Sequence, residues 1–149
     1  MEVHKYQVDL EWIMDRKGEI SSPLLNQKVE IATPPEFAKG MPGFWSPEHL
    51  FTAAVSSCFM TTFLAIAENS GLEFTSLSCP AEGVLGKKEG KYAMTEILLK
   101  PVLTIPNIED REKAEKIMIK AERACLISNS ITSVVHMETE VLIAEDLPV

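Results

Sequence analysis

One stretch of this chain constrains its architecture more than any other: from Ser46 to Gly71 the residues read as a single long helix that is apolar around most of its circumference. Ser46 supplies a capping hydroxyl, Pro47 suits the first helical position, and Glu48 sets an acid beside the positive end of the helix dipole. Gly71 marks the stop. Between them lie Leu50, Phe51, Ala53, Ala54, Val55, Cys58, Phe59, Met60, Phe63, Leu64, Ile66 and Ala67, so the helix is expected to be buried on nearly all sides. Ser56, Ser57, Thr61 and Thr62 interrupt its hydrophobicity and basic flanks are missing, which favours a core helix over a membrane anchor.

The remaining residues wrap that helix in strands. Tyr6, Val8, Leu10 and Trp12 alternate with Gln7, Asp9 and Glu11, the period of a strand whose aromatic side faces the core. Asp15-Arg16-Lys17-Gly18 supplies a turn, and the chain returns antiparallel through residues 19–31, with Pro23 at an edge or break. Pro34, Pro35, Gly40, Pro42 and Gly43 predict a long shaped loop up to Trp45. After the helix, residues 73–85 and 92–105 read as an extended hairpin joined by Gly86-Lys87-Lys88-Glu89-Gly90. Asn107 is placed to cap a second, amphipathic helix in which Ile108, Ala114, Ile117, Met118, Ala121 and Cys125 share a face. Residues 133–143 alternate again as a final strand. The order predicts an α+β fold with antiparallel sheets.

At 149 residues the chain suits one domain over 1–149, because a chain of this size buries roughly 68–70% of its unfolded surface. The first residues mix charged and apolar side chains and do not read as a signal peptide, so a cytoplasmic protein is expected. Three cysteines, an odd number, then point to free thiols and away from a disulfide framework. The net charge of −8, without a basic stripe, disfavours nucleic acid and anionic lipid surfaces as partners.

Cys58 and Cys125 are the residues with the most chemistry to offer. A thiol in apolar surroundings is inert, whereas a neighbouring cation stabilises the nucleophilic thiolate. The arginines are Arg16, Arg111 and Arg123, and the last two fall in the charged second helix, where a solvated face is the ordinary reading. Arg16 sits in the first hairpin turn, where a tight backbone can aim a side chain inward. Glu48 reads either as a first-turn acid or as a carboxylate that orients an arginine. His49 and His136 have no partner at metal-ligand spacing and read as structural. Cys79, before Pro80, reads as packing, and Cys125 taken alone reads the same way.

Taken together, Ser46-Pro47-Glu48-His49-Leu50-Phe51-Thr52-Ala53-Ala54-Val55-Ser56-Ser57-Cys58-Phe59 closely resembles the first cysteine motif of the OsmC/Ohr family, bacterial proteins of osmotic and organic-hydroperoxide resistance. Cys125-Leu126-Ile127-Ser128-Asn129 resembles that family's second cysteine motif, and Arg16-Lys17-Gly18 falls at the position of its active-site arginine. In much of the family proline follows the second cysteine, and here Leu126 stands there. The resemblance implies an OsmC-like fold, with antiparallel sheets around long buried central helices, and a thiol peroxidase. Cys58 would attack a hydroperoxide and become a sulfenic acid, and Cys125 would condense with it to a disulfide. An external dithiol, lipoyl-type or a small thiol, would reduce that disulfide, with no metal or flavin required. Arg16 would hold the thiolate and polarise the peroxide, Glu48 would fix Arg16, and Phe37, Met41, Phe44 and Trp45 would either line a substrate mouth or merely cover the core.

On one straight helix Glu48 and Cys58 lie about 15 Å apart along the axis, which is too far for one site. Either the helix start bends, or Arg16 and Glu48 of one subunit complete the site around Cys58 of another in an intertwined homodimer. Two other readings stay open: a hot-dog-like acyl thioesterase, which needs no cysteine pair, and a non-catalytic small-molecule binder with inert thiols.

Overall fold

A computed structural model describes residues 2–144. The chain divides into two compact units, Met1–Leu50 and Phe51–Val149, and the division falls within the long helix.

In the first unit β1 (Asp9–Met14), β2 (Lys17–Ser22) and β3 (Leu25–Ala32) form an antiparallel meander, with Trp12 opposite Gly18 and Gly18 opposite Ile31. Asp15 takes a positive φ of 47° to make the first turn, and Pro23 sits in the second, as a residue without an N–H must. The side expected to face the core is instead open: Trp12 on β1 is 76% exposed, and Tyr6, which precedes the strand, is 89% exposed. A three-stranded meander has no second layer of its own to cover that face. The irregular loop predicted before the helix is present and is tied by Ala32 N–H to Trp45 O at 2.8 Å and Met41 N–H to Thr33 O at 2.9 Å. A Cβ at Gly40 would collide with the Pro34 carbonyl, so the loop needs glycine there.

The helix α1 (Pro47–Ser70) begins and ends where its caps dictate. Ser46 Oγ accepts the His49 N–H at 3.2 Å and lies 2.6 Å from His49 Nδ1. At the other end Gly71 has φ +68°, with Leu72 N–H donating to Ala67 O and Gly71 N–H to Glu68 O, the paired bonds of a Schellman stop. The expectation of burial on nearly all sides is corrected. Val55, Phe59, Phe63 and Ala67 form one buried i, i+4 stripe, while Met60 and Leu64 are 42% and 40% exposed. The helix is long and apolar enough by composition to cross a membrane, with a mean hydropathy of 1.8 over its best window. Its buried stripe nonetheless belongs to the core of the second unit.

That unit holds β4 (Ser76–Ser78), β5 (Ala81–Lys88), β6 (Lys91–Leu99), β7 (Val102–Ile105), α2 (Arg111–Ala124), β8 (Val134–Met137) and β9 (Glu140–Ile143). The predicted hairpin forms, but Pro80 and Pro101 divide its two arms at the same level, giving sheets β4-β7-β9 and β5-β6-β8. Lys100 N–H to Pro80 O, Glu138 N–H to Leu99 O and Glu140 N–H to Pro101 O stitch the sheets across that break. The turn is tighter than expected: Glu89 (φ 52°) and Gly90 (φ 79°) alone connect Lys88 to Lys91. Neither of these sheets is purely antiparallel, because β8 runs parallel to β6 and β9 parallel to β7. The crossover through α2 returns the chain in the direction it left, which is what a parallel pair needs. Asn107 makes no side-chain cap; a 3₁₀ turn at Ile108–Asp110 leads into α2 instead. The apolar face of α2 forms from Ala114, Ile117, Met118 and Ala121, buried with the cluster of Phe59, Phe63, Ile97, Leu99, Leu103 and Ile105, whereas Ile108, expected on the same face, lies in the preceding 3₁₀ turn and is exposed.

Candidate active site

Cys58 and Cys125 meet within the second unit. Cys58 projects from the middle of α1 beside the buried stripe and remains partly exposed, whereas Cys125 closes α2 and is fully buried. The backbone leaves the helix at Cys125, with φ −64° and ψ 115°, and then folds tightly on itself. Asn129 N–H donates to Cys125 O at 3.1 Å, Ser130 N–H to Ile127 O at 3.0 Å, and Ser130 Oγ to Leu126 O at 2.7 Å. The segment carrying Cys125 is therefore braced by its own hydrogen bonds, which hold it in one shape beside α1.

Everything around the Cys58 sulfur except burial favours its thiolate. Burial raises its pKa, but hydrogen bonds from the Ile127 N–H, the Cys125 thiol, Thr62 and the Leu126 N–H together bring it below the ordinary thiol value. Thr62 lies one helical turn on, with Oγ1 3.9 Å from the sulfur. Cys125 moves the opposite way. Burial raises it most, Ser128 offsets that through its hydroxyl and its N–H, and the bond and charge shared with Cys58 raise it further. The pair is thus polarised, with Cys58 the sulfur that ionises first and Cys125 the one that keeps its proton and donates it toward Cys58. Cys79 lies apart on the segment between β4 and β5, where burial pushes its thiol up to about 11 against one backbone hydrogen bond from Lys100.

The other two residues singled out from the sequence belong to the first unit. Arg16 is exposed on the β1–β2 turn, where its carbonyl accepts the Thr33 N–H at 3.2 Å. Glu48 is partly buried in the first turn of α1. His49 serves the Ser46 cap and packs edge-on to Trp45, and His136 lies 3.5 Å from Glu96, so both have structural partners. Among the described residues no group of three or more His, Cys, Asp or Glu side chains is arranged to hold a metal ion. The sequence reading missed Thr62, although an i+4 neighbour on a helix is a legible signal. It also missed the Leu126 and Ile127 amides and Ser128, whose positions depend on how the chain leaves α2.

The family model for OsmC-like protein matches residues 40–140, which include both cysteines. The chain belongs to the OsmC family. YmaD of Bacillus subtilis is 27% identical over 142 residues, covering 92% of this chain and 93% of its relative. The Escherichia coli protein named peroxiredoxin OsmC is 30% identical over 125 residues, covering 82% of this chain and 84% of its own. Among solved structures, an OsmC-like protein of Vibrio cholerae superposes with a TM-score of 0.84 at 24% identity, covering 92% of this chain and 99% of that one. The organic hydroperoxide resistance protein OhrB of Bacillus subtilis superposes at 0.66 with 23% identity, over 93% and 98%. The OsmC-like α+β fold is therefore this chain's fold, and OsmC membership links it to a family with peroxide-related stress functions.

Proposed function

We propose that this OsmC-family chain is a cysteine-based thiol peroxidase that reduces organic hydroperoxides. The observation that carries the reading is the polarised pair itself, a partly exposed Cys58 biased toward thiolate beside a buried Cys125 biased toward thiol. The Cys58 thiolate attacks the distal peroxide oxygen, the O–O bond breaks, and the departing alkoxide takes a proton and leaves as an alcohol. Cys58 is then a sulfenic acid. Cys125 attacks that sulfur, its proton and the leaving hydroxide form water, and a Cys58–Cys125 disulfide remains. An external dithiol, lipoyl-type or a small thiol, returns both cysteines to the reduced state by exchange. A reducing compartment such as the cytoplasm suits this cycle.

In this reading Arg16 polarises the peroxide and Glu48 orients Arg16 through a charge-assisted contact. α1 runs unbroken from Pro47 to Ser70, and the helical rise separates Glu48 from Cys58 by about 15 Å along the axis. The reading therefore takes Arg16 and Glu48 from a second copy of the chain, in a homodimer. The relative named peroxiredoxin OsmC supports the chemistry, since it shares 30% identity over 82% of this chain.

Single-turnover consumption of cumene hydroperoxide by the reduced protein, with thiols counted before and after, tests the proposal. The expected result is loss of one peroxide and two thiols per chain, abolished by Cys58→Ser. Intact thiols and unconsumed peroxide would overturn it.

A further inference from the structure

Ser128 carries a buried hydroxyl oxygen with no hydrogen-bond partner among the described residues. Leaving a hydroxyl unsatisfied out of water costs stability, so native chains rarely keep one without a use. Its position gives it one. Ser128 opens the 3₁₀ turn Ser128–Ser130, three residues beyond Cys125, and the Asn129 N–H bond to Cys125 O folds that turn back over the cysteine. Both the Ser128 hydroxyl and its N–H favour negative charge on the Cys125 sulfur.

In the reduced chain that sulfur is a thiol, a poor acceptor for a hydroxyl proton. Only when Cys125 ionises does the Ser128 hydroxyl gain a strong acceptor. Ionisation becomes easier once Cys58 has been oxidised, because the hydrogen bond and negative charge through which Cys58 keeps Cys125 protonated are then gone.

We propose that Ser128 Oγ is an unpartnered donor reserved for the Cys125 thiolate, which makes Ser128 a catalytic residue of the disulfide-forming step and not of the peroxide-cleaving step. In that step Cys125 loses its proton, its sulfur attacks the Cys58 sulfur, and the group on Cys58 leaves with the bonding electron pair; where that group is hydroxide, the proton joins it as water. Ser128 donates a hydrogen bond to the attacking sulfur but does not give up its proton. This rests on the cysteine pair reacting in the order given above, yet it does not require that the oxidant be a peroxide.

The test uses an aromatic disulfide, 5,5′-dithiobis(2-nitrobenzoate), with the reduced full chain. Cys58 attacks first and releases one thionitrobenzoate. Cys125 then attacks the mixed disulfide and releases a second, and Cys125→Ser identifies that phase by removing it. Ser128→Ala is expected to slow the second phase roughly tenfold and move its pH midpoint upward, while the first phase keeps its rate. Ser128→Thr, which restores a hydroxyl, is expected to recover most of the loss. A second phase with unchanged rate and pH midpoint in Ser128→Ala would overturn the inference, and so would equal slowing in Ser128→Ala and Ser128→Thr. If wild type shows both phases but consumes no hydroperoxide, the peroxidase reading fails and the role of Ser128 is still decided by the variants.

Discussion

Oγ1 of Thr62 lies 3.9 Å from the sulfur of Cys58, one turn further along α1. The distance is long for a bond to a neutral thiol and will gain most when the sulfur is charged. Thr62→Val keeps the shape of the side chain and deletes the donor. Alkylation of Cys58 by iodoacetamide, followed by mass spectrometry at pH values below its midpoint, is expected to slow roughly threefold. The thermal midpoint should barely move, and an unchanged alkylation profile would remove Thr62 from the site.

Leu126 contributes through its backbone. Its N–H is one of the donors that lower the Cys58 pKa, its side chain is largely exposed, and Cys125 before it already has the extended ψ that a following proline demands. Leu126→Pro therefore deletes a donor without asking the preceding residue to move. The thiolate fraction of Cys58 at neutral pH is expected to fall several-fold, read as slower alkylation, whereas Leu126→Ala should behave as wild type. Equal behaviour of the two variants would exclude the amide as a contributor.

The buried thiol of Cys79 gives the fold an alkaline weakness. Its pKa is about 11 in the folded chain against 9.0 for a free thiol, so between those values the unfolded chain releases a proton that the native chain keeps. Stability linked to this group is intact below pH 9 and declines as the pH rises toward 11. Urea midpoints measured across that window should fall more steeply in wild type than in Cys79→Ala. Parallel slopes would show that Cys79 does not carry the effect.

The two ends of α1 invite a paired test. Ser46→Ala removes the hydroxyl that accepts the His49 N–H and is expected to cost about 1 kcal/mol in urea unfolding. Gly71→Ala introduces a Cβ into open space but at φ +68°, so its cost of about 1 kcal/mol comes from the left-handed backbone and not from a clash. A variant as stable as wild type would mean that its end of the helix frays without penalty.

These caps were legible in the sequence because they are local: Ser46-Pro47-Glu48 and Gly71 act within one turn of the helix. The amphipathic face of α2 was legible for the same reason, since its period needs no partner to be read. The parallel placement of β8 and β9 was not, because it depends on how the α2 crossover returns the chain, and alternation is the same in either direction. Asn107 failed as a cap because a 3₁₀ turn intervenes. In the site, the cysteines stood out by type and motif, and Thr62 was available from helical spacing. Ser128 and the Leu126 and Ile127 amides were hidden, since only the tight turn after Cys125 brings them to the sulfurs.

The same limit explains the error over burial, and it leads to a prediction about assembly. Periodicity reports which face of an element avoids water, but not which chain covers it. Leu10 and Trp12 on β1, and Met60 and Leu64 on α1, are large apolar side chains left open in the single chain. The outward face of α1 also carries Ser57, Thr61 and Ala65, small enough for another helix to approach closely. A second copy of this chain is the occupant that the proposed active site already needs for Arg16 and Glu48. Light scattering is expected to give twice the 16.5 kDa chain mass. Leu64→Glu sets a charge in the middle of the open face of α1 while sparing the buried stripe, and should shift the protein toward monomer and lower peroxide turnover with it. A wild-type mass of one chain, or a Leu64→Glu variant that remains dimeric and fully active, would mean that α1 is not the dimer interface.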